Sequence, residues 1–67
     1  MKIILYSQEG CPMCKAVELQ LKKTNIEYTI NKNIEEMKKL EISHTPVLSV
    51  DGELLAGKDI LTWIKTR

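Results

Sequence analysis

A chain of 67 residues and 7.7 kDa has room for one domain, residues 1–67, and none for long lids or a second core. Its hydrophobic content of 43% and charged content of 28% exclude a disordered chain and fit an ordinary globular one. Ten Lys+Arg stand against nine Asp+Glu, so charge gives no support to a nucleic-acid or membrane-surface role.

The elements follow one another at short spacing. Lys2-Ile3-Ile4-Leu5-Tyr6 is β-branched and continuously apolar, which reads as a strand buried on both faces. Its apolar part is far too short for a membrane span or a signal-peptide core, so the default compartment is the cytoplasm. Ser7-Gln8-Glu9-Gly10 is a polar loop, and Pro12 stands where a first helical position tolerates its missing N–H. Met13, Val17 and Leu21 recur at helical spacing, predicting a helix to about Lys23 that Thr24-Asn25 ends. Glu27-Tyr28-Thr29-Ile30 reads as a second strand. Asn33 followed by Glu36 has the spacing of a capping box, and Ile34, Met37 and Leu40 mark one face of a short helix. His44-Thr45-Pro46 breaks it. Val47–Val50 and Glu53–Leu55 read as strands joined by Asp51-Gly52, the strongest two-residue hairpin signal. Gly57 opens a last helix with Ile60, Leu61 and Ile64 on its face and Trp63 alongside.

The order is therefore β-α-β-α-β-β-α, an α/β chain. The helix between the first two strands predicts a parallel pair with a right-handed crossover. The hairpin then makes the four-stranded sheet mixed, with three helices to cover it.

The chemistry concentrates at Cys11-Pro12-Met13-Cys14. Residues at i and i+3 face one side of a helix, so side-chain rotation brings the sulfurs within disulfide geometry. In a reducing compartment a purely structural disulfide is a poor explanation for the pair. A reversible dithiol fits better, since a CxxC inside a βαβ pattern is a redox signature. Cys11, at the helix start, meets free N–H groups and the positive end of the dipole, which favour a thiolate. It is the expected exposed nucleophile, and Cys14, one turn in, the resolving thiol. The competing reading is a metal module built on Cys11, Cys14 and His44. It lacks a second CxxC, and no metal ligand set is assigned.

The chain resembles the glutaredoxin family of the thioredoxin superfamily, through Tyr6-Ser7, Gly10-Cys11-Pro12-Met13-Cys14, Thr45-Pro46, Asp51-Gly52 and Ala56-Gly57-Lys58-Asp59. The resemblance runs almost end to end and implies a minimal thioredoxin, glutaredoxin-like fold and a thiol–disulfide oxidoreductase. It implies Cys11 as nucleophile, Cys14 as resolving cysteine and Pro46 as the superfamily's cis-proline. Thr45 would offer its backbone to the substrate's cysteine. Gly57, Lys58 and Asp59 match the turn that holds the γ-glutamyl end of glutathione, which is the implied reductant or co-substrate. The implied substrates are disulfide-bearing proteins or glutathione mixed disulfides, and the default state is a monomer. Tyr6, Pro12 and Met13 would border the substrate, although plain packing competes at Tyr6. His44, near Cys11 in the loop, is a candidate tuner of the thiol against a solvated-loop reading. Lys58 could supply positive field, and Asp59 competes with an ordinary first-turn helix acid. The chain differs from the family's usual pattern at Gln8, where a basic residue is common, at Met13, at Ala56 and at His44. These differences bear on glutathione more than on redox chemistry. They keep in view redoxins reduced by a thioredoxin-reductase-type flavoprotein, some of which serve ribonucleotide reductase.

Overall fold

A computed structural model of the protein describes residues 2–67. In chain order the elements are β1 (Ile3–Tyr6), α1 (Pro12–Lys23), β2 (Thr29–Asn31), α2 (Ile34–Lys39), β3 (Val47–Val50), β4 (Glu53–Ala56) and α3 (Lys58–Lys65). The sheet order is β2-β1-β3-β4. β2 runs parallel to β1, while β3 is antiparallel to both β1 and β4. This is the mixed sheet and element order read from the sequence.

Local chemistry accounts for the boundaries. α1 begins with Pro12 at its first turn and ends at Thr24. Asn25 then turns left-handed (φ 57°), and the Ile26 and Asn25 N–H groups return to the carbonyls of Leu21 and Lys22. That is a Schellman stop, closed by the apolar pair Leu21 and Ile26. α2 ends the same way, with Glu41 at φ 60° and Ile42 N–H on the Met37 carbonyl. Asp51 (φ 50°) and Gly52 (φ 93°) are both left-handed, as a type I′ hairpin turn requires.

The side chains alternate across the sheet into two cores. On one face Ile3, Leu5 and Leu48 meet Val17 and Leu21 of α1 and Ile60 and Ile64 of α3. On the other, Tyr6 and Val47 meet Met37 of α2, with Ile4 and Ile42 partly buried against them.

Some expectations change. β2 starts at Thr29 rather than Glu27, because the Schellman stop holds Ile26 under α1, and only Thr29–Asn31 reach register with β1. Met13 is 60% exposed in the first turn of α1, and the buried stripe of that helix is Cys14, Val17 and Leu21 instead. Ile34 and Leu40 are 56% and 43% exposed, leaving Met37 alone as the buried face of α2. A six-residue helix is less than two turns and covers only part of a sheet face. For the same reason Ile4 is half-buried rather than enclosed on the second face of β1. Leu61 is 39% exposed, and Ile60 and Ile64 carry the packing of α3 with Trp63 half-buried beside them.

Candidate functional site

The sheet gathers the site at one end. Tyr6, the last residue of β1, pairs with Val47, the first of β3, and Val47 pairs with Ala56, the last of β4. The loop to Cys11, the Thr45-Pro46 segment and the Gly57 turn therefore leave the sheet side by side. The Ser7 N–H donates to the Asn31 carbonyl at 3.0 Å and fixes the chain as it exits β1. Gln8, Glu9 and Gly10 are exposed, and Gly10 takes a left-handed φ of 71°. That turn delivers Cys11 to the start of α1.

Cys11 is the N-cap of the helix in extended conformation, and its Sγ accepts the Cys14 N–H at 3.1 Å. A sulfur here performs the task usually given to a Ser or Asp oxygen. The first turn of α1 contains no acidic residue and the last holds Lys22 and Lys23. Negative charge at Cys11 is thus opposed by no carboxylate in that turn and favoured by the dipole. Cys11 is half-buried, less open than the sequence reading, whereas Cys14 is 1% exposed. The two are joined as a disulfide with Cα atoms 5.3 Å apart. This structure is the oxidised form of the reversible pair read from the sequence.

The peptide bond between Thr45 and Pro46 is cis, as the resemblance implied. Both residues are half-buried. The Thr45 hydroxyl donates to Cys11 Sγ at 3.8 Å, across a separation of 34 residues. This side-chain contact was missed from the sequence, where only the Thr45 backbone was considered.

The remaining candidates fall into three groups. Pro12 and Met13 form an exposed rim beside the disulfide. Tyr6 is 7% exposed and packs with Met37 and Val47, so it shapes the floor of this end of the sheet. Gly57, Lys58 and Asp59 are exposed at the start of α3. Gly57 caps α3 with φ 58° and ψ −128°, a conformation suited to Gly, and no side chain bonds the helix start. His44 is exposed, and the hydrogen bonds to Cys11 Sγ come from Cys14 and Thr45 instead. Among the described residues no group of three or more His, Cys, Asp or Glu side chains converges as metal ligands. No helix among them is long and apolar enough to cross a membrane.

The glutaredoxin family model matches residues 3–55, from the first strand through the hairpin. The chain belongs to the glutaredoxin family. A glutaredoxin-like 8.6 kDa protein of the rubredoxin operon of Clostridium pasteurianum, itself uncharacterised, is 37% identical, over 82% of this chain and 83% of its own. The crystal structure of the thioredoxin-like protein BC3987 superposes with a TM-score of 0.80 at 29% identity, covering 98% of this chain and 100% of that one. A point mutant of the same protein gives 0.79 at 31% identity, covering 96% and 91%. The glutaredoxin membership, the thioredoxin-like fold and the Cys11–Cys14 pair together support a thiol redox function.

Proposed function

We propose that this glutaredoxin is a thiol–disulfide oxidoreductase in which Cys11 attacks and Cys14 resolves. The observation that carries this reading is the asymmetry of the pair. Cys11 sits half-buried at a helix start with N–H and hydroxyl donors on its sulfur, while Cys14 is buried one turn in. The Cys11 thiolate attacks one sulfur of a substrate disulfide, forming a mixed disulfide, and the other substrate sulfur leaves as a thiolate that takes up a proton. Cys14 loses its proton and attacks Cys11 Sγ. The second substrate sulfur then leaves as a thiol, and the protein keeps the disulfide. Two electrons pass to the substrate, and two reducing thiols from outside return them.

The substrates proposed are protein disulfides and glutathione mixed disulfides, acted on by a monomer in the cytoplasm. The exposed turn of Gly57, Lys58 and Asp59, at the Cys11 end of the sheet, supports glutathione as reductant. Helix-start N–H groups suit a carboxylate there. A second reading takes a flavoprotein thioredoxin reductase as the electron source. It is favoured by the neutral, exposed Gln8 beside the cysteine loop and by the likeness to a thioredoxin-like protein.

Reduction of the protein disulfide with NADPH is followed in parallel with glutathione plus glutathione reductase and with thioredoxin reductase. Turnover with glutathione supports the first reading, and turnover with thioredoxin reductase alone supports the second. The chemistry is tested by Cys14→Ser, which should accumulate a mixed disulfide at Cys11 with a disulfide-bearing substrate. Cys11→Ser should abolish exchange. Faster alkylation of Cys14 than of Cys11 at neutral pH would reverse the assigned roles.

A further inference from the structure

We infer that the Thr45 side chain is a positioning and charge-stabilising group for the attacking sulfur, the one donor to Cys11 that the identity of a distant side chain controls. This rests on Cys11 being the attacking cysteine of the proposed reaction.

Two donors point at Cys11 Sγ. The Cys14 N–H, at 3.1 Å, is backbone and belongs to any residue capping this helix. The Thr45 hydroxyl, at 3.8 Å, comes from the segment leading into β3. A hydroxyl hydrogen rotates freely, so it can follow the sulfur as its charge changes. Against a disulfide sulfur, a weak acceptor, the bond is weak. Against a thiolate it becomes charge-assisted and should shorten. The contact is therefore stronger in the reduced, attacking state than in the oxidised state seen here.

Among the described residues no formal charge hydrogen-bonds this sulfur. The ionisable groups of the neighbouring segments are Tyr6 at the end of β1, Glu9 and Lys15 flanking the cysteine run, His44 in the Pro46 loop, and Lys58 and Asp59 at the start of α3. None of these side chains donates to Cys11 Sγ among the described residues. Thr45 lies half-buried beside a half-buried sulfur, so water screens the interaction only in part. A hydroxyl in that position lowers the thiol's pKa by hydrogen bonding to its charged form.

The test titrates Cys11 in the reduced protein, by thiolate absorbance near 240 nm and by the pH dependence of its alkylation. Wild type is compared with Thr45→Val, which keeps the shape and removes the hydroxyl, and Thr45→Ser, which keeps the hydroxyl. Every other charge near the sulfur is the same in all three. The Val variant should shift the Cys11 midpoint upward by roughly 0.5 to 1 pH unit, a partly screened charge-assisted hydrogen bond. The Ser variant should stay within about 0.2 unit of wild type. Thr45→Ala is the second hydroxyl-free protein should the Val variant fold poorly, and thermal unfolding establishes that each is folded. Midpoints that coincide in wild type and the hydroxyl-free variants would overturn the proposal, as would a Ser variant that shifts as far as Val. The titration needs no substrate, so its outcome is separate from disulfide exchange. A wild-type protein that fails to exchange disulfides while the Val shift is present would sink the oxidoreductase reading and leave the hydroxyl's action on Cys11 standing.

Discussion

The two faces of the sheet are built differently. One is covered by two helices and encloses a buried cluster that runs from Ile3 and Leu5 through Val17 and Leu21 to Leu48, Ile60 and Ile64. The other is covered by α2 alone and encloses Tyr6, Met37 and Val47. There Ile4 remains half-buried, and Leu40 and Leu54 stay 43% and 41% exposed. The division runs through the site. Cys11 and Cys14 ride on α1, which the thick core anchors through Val17 and Leu21. Thr45 and Pro46 lie between Ile42 and Val47, both packed into the thin core. The contact between Thr45 and Cys11 thus joins two halves of a site that hang from separate cores.

Truncating one side chain in each core breaks this comparison most directly. Leu48 is fully buried at the centre of the sheet, and Leu48→Ala should cost about 4 kcal/mol. A chain of this size has about 3–10 kcal/mol in total, so the variant should keep at most about 6 kcal/mol. Met37→Ala removes an equally buried side chain, but a flexible one in a half-open cluster that can collapse around the gap. Its cost should be nearer 2 kcal/mol. Urea unfolding of both variants checks the ranking, and a Met37→Ala cost equal to that of Leu48→Ala would show the thin face to be as tightly packed as the thick one.

The same contrast explains what was legible in the sequence. The thick face is largely written in period and length, since Val17, Leu21, Ile60 and Ile64 recur at helical spacing and are buried, while Met13 and Leu61, read with them, stay exposed. The Asp51-Gly52 turn and the helix start at Cys11-Pro12 were legible because each depends on the backbone preferences of the residues themselves. The thin face was over-read. Ile34 and Leu40 have the right spacing, but spacing does not record whether enough sheet lies beneath a six-residue helix. At the site, the cysteine pair and Pro46 were visible as local motifs. The approach of the Thr45 hydroxyl was not, because it depends on the register of β1 against β3, which closes a separation of 34 residues.

A smaller effect sharpens the account of the thin face. The Asn33 side chain accepts the Glu36 N–H at 3.1 Å and caps α2, as the sequence predicted. The other half of the expected box is rerouted: the Asn33 N–H donates to Asn31 Oδ1 at 2.8 Å, and the Glu36 carboxylate takes the Asn31 amide. α2 is therefore stitched to the end of β2 as well as capped. Asn33→Ala should cost about 1 kcal/mol, while Asn33→Asp, which keeps the acceptor, should stay close to wild type. Equal losses in the two variants, read from urea midpoints, would show that the acceptor on the Asn33 side chain does not carry the effect.

The smallest effect belongs to the rim of the thick face. The Tyr28 ring packs against that core, and its hydroxyl donates to Glu18 Oε1 at 3.4 Å, tying the start of β2 to α1. Burial raises the phenol's pKa above its usual 10.0, and the Glu18 charge and hydrogen bond raise it further. The neutral phenol is thus favoured in the folded state. Below about pH 10 the phenol is neutral in both states and its contribution is whole. As pH rises past that point the unfolded chain ionises first, and the contribution drains away until the folded phenol ionises too. Wild type should therefore lose stability as pH rises past about 10 more steeply than Tyr28→Phe, in which that titration is absent. Lysine titration is common to both proteins and cancels in the difference. Parallel urea midpoints across that range would mean that Tyr28 is held at the rim by its ring alone, with no energetic tie through Glu18 to α1.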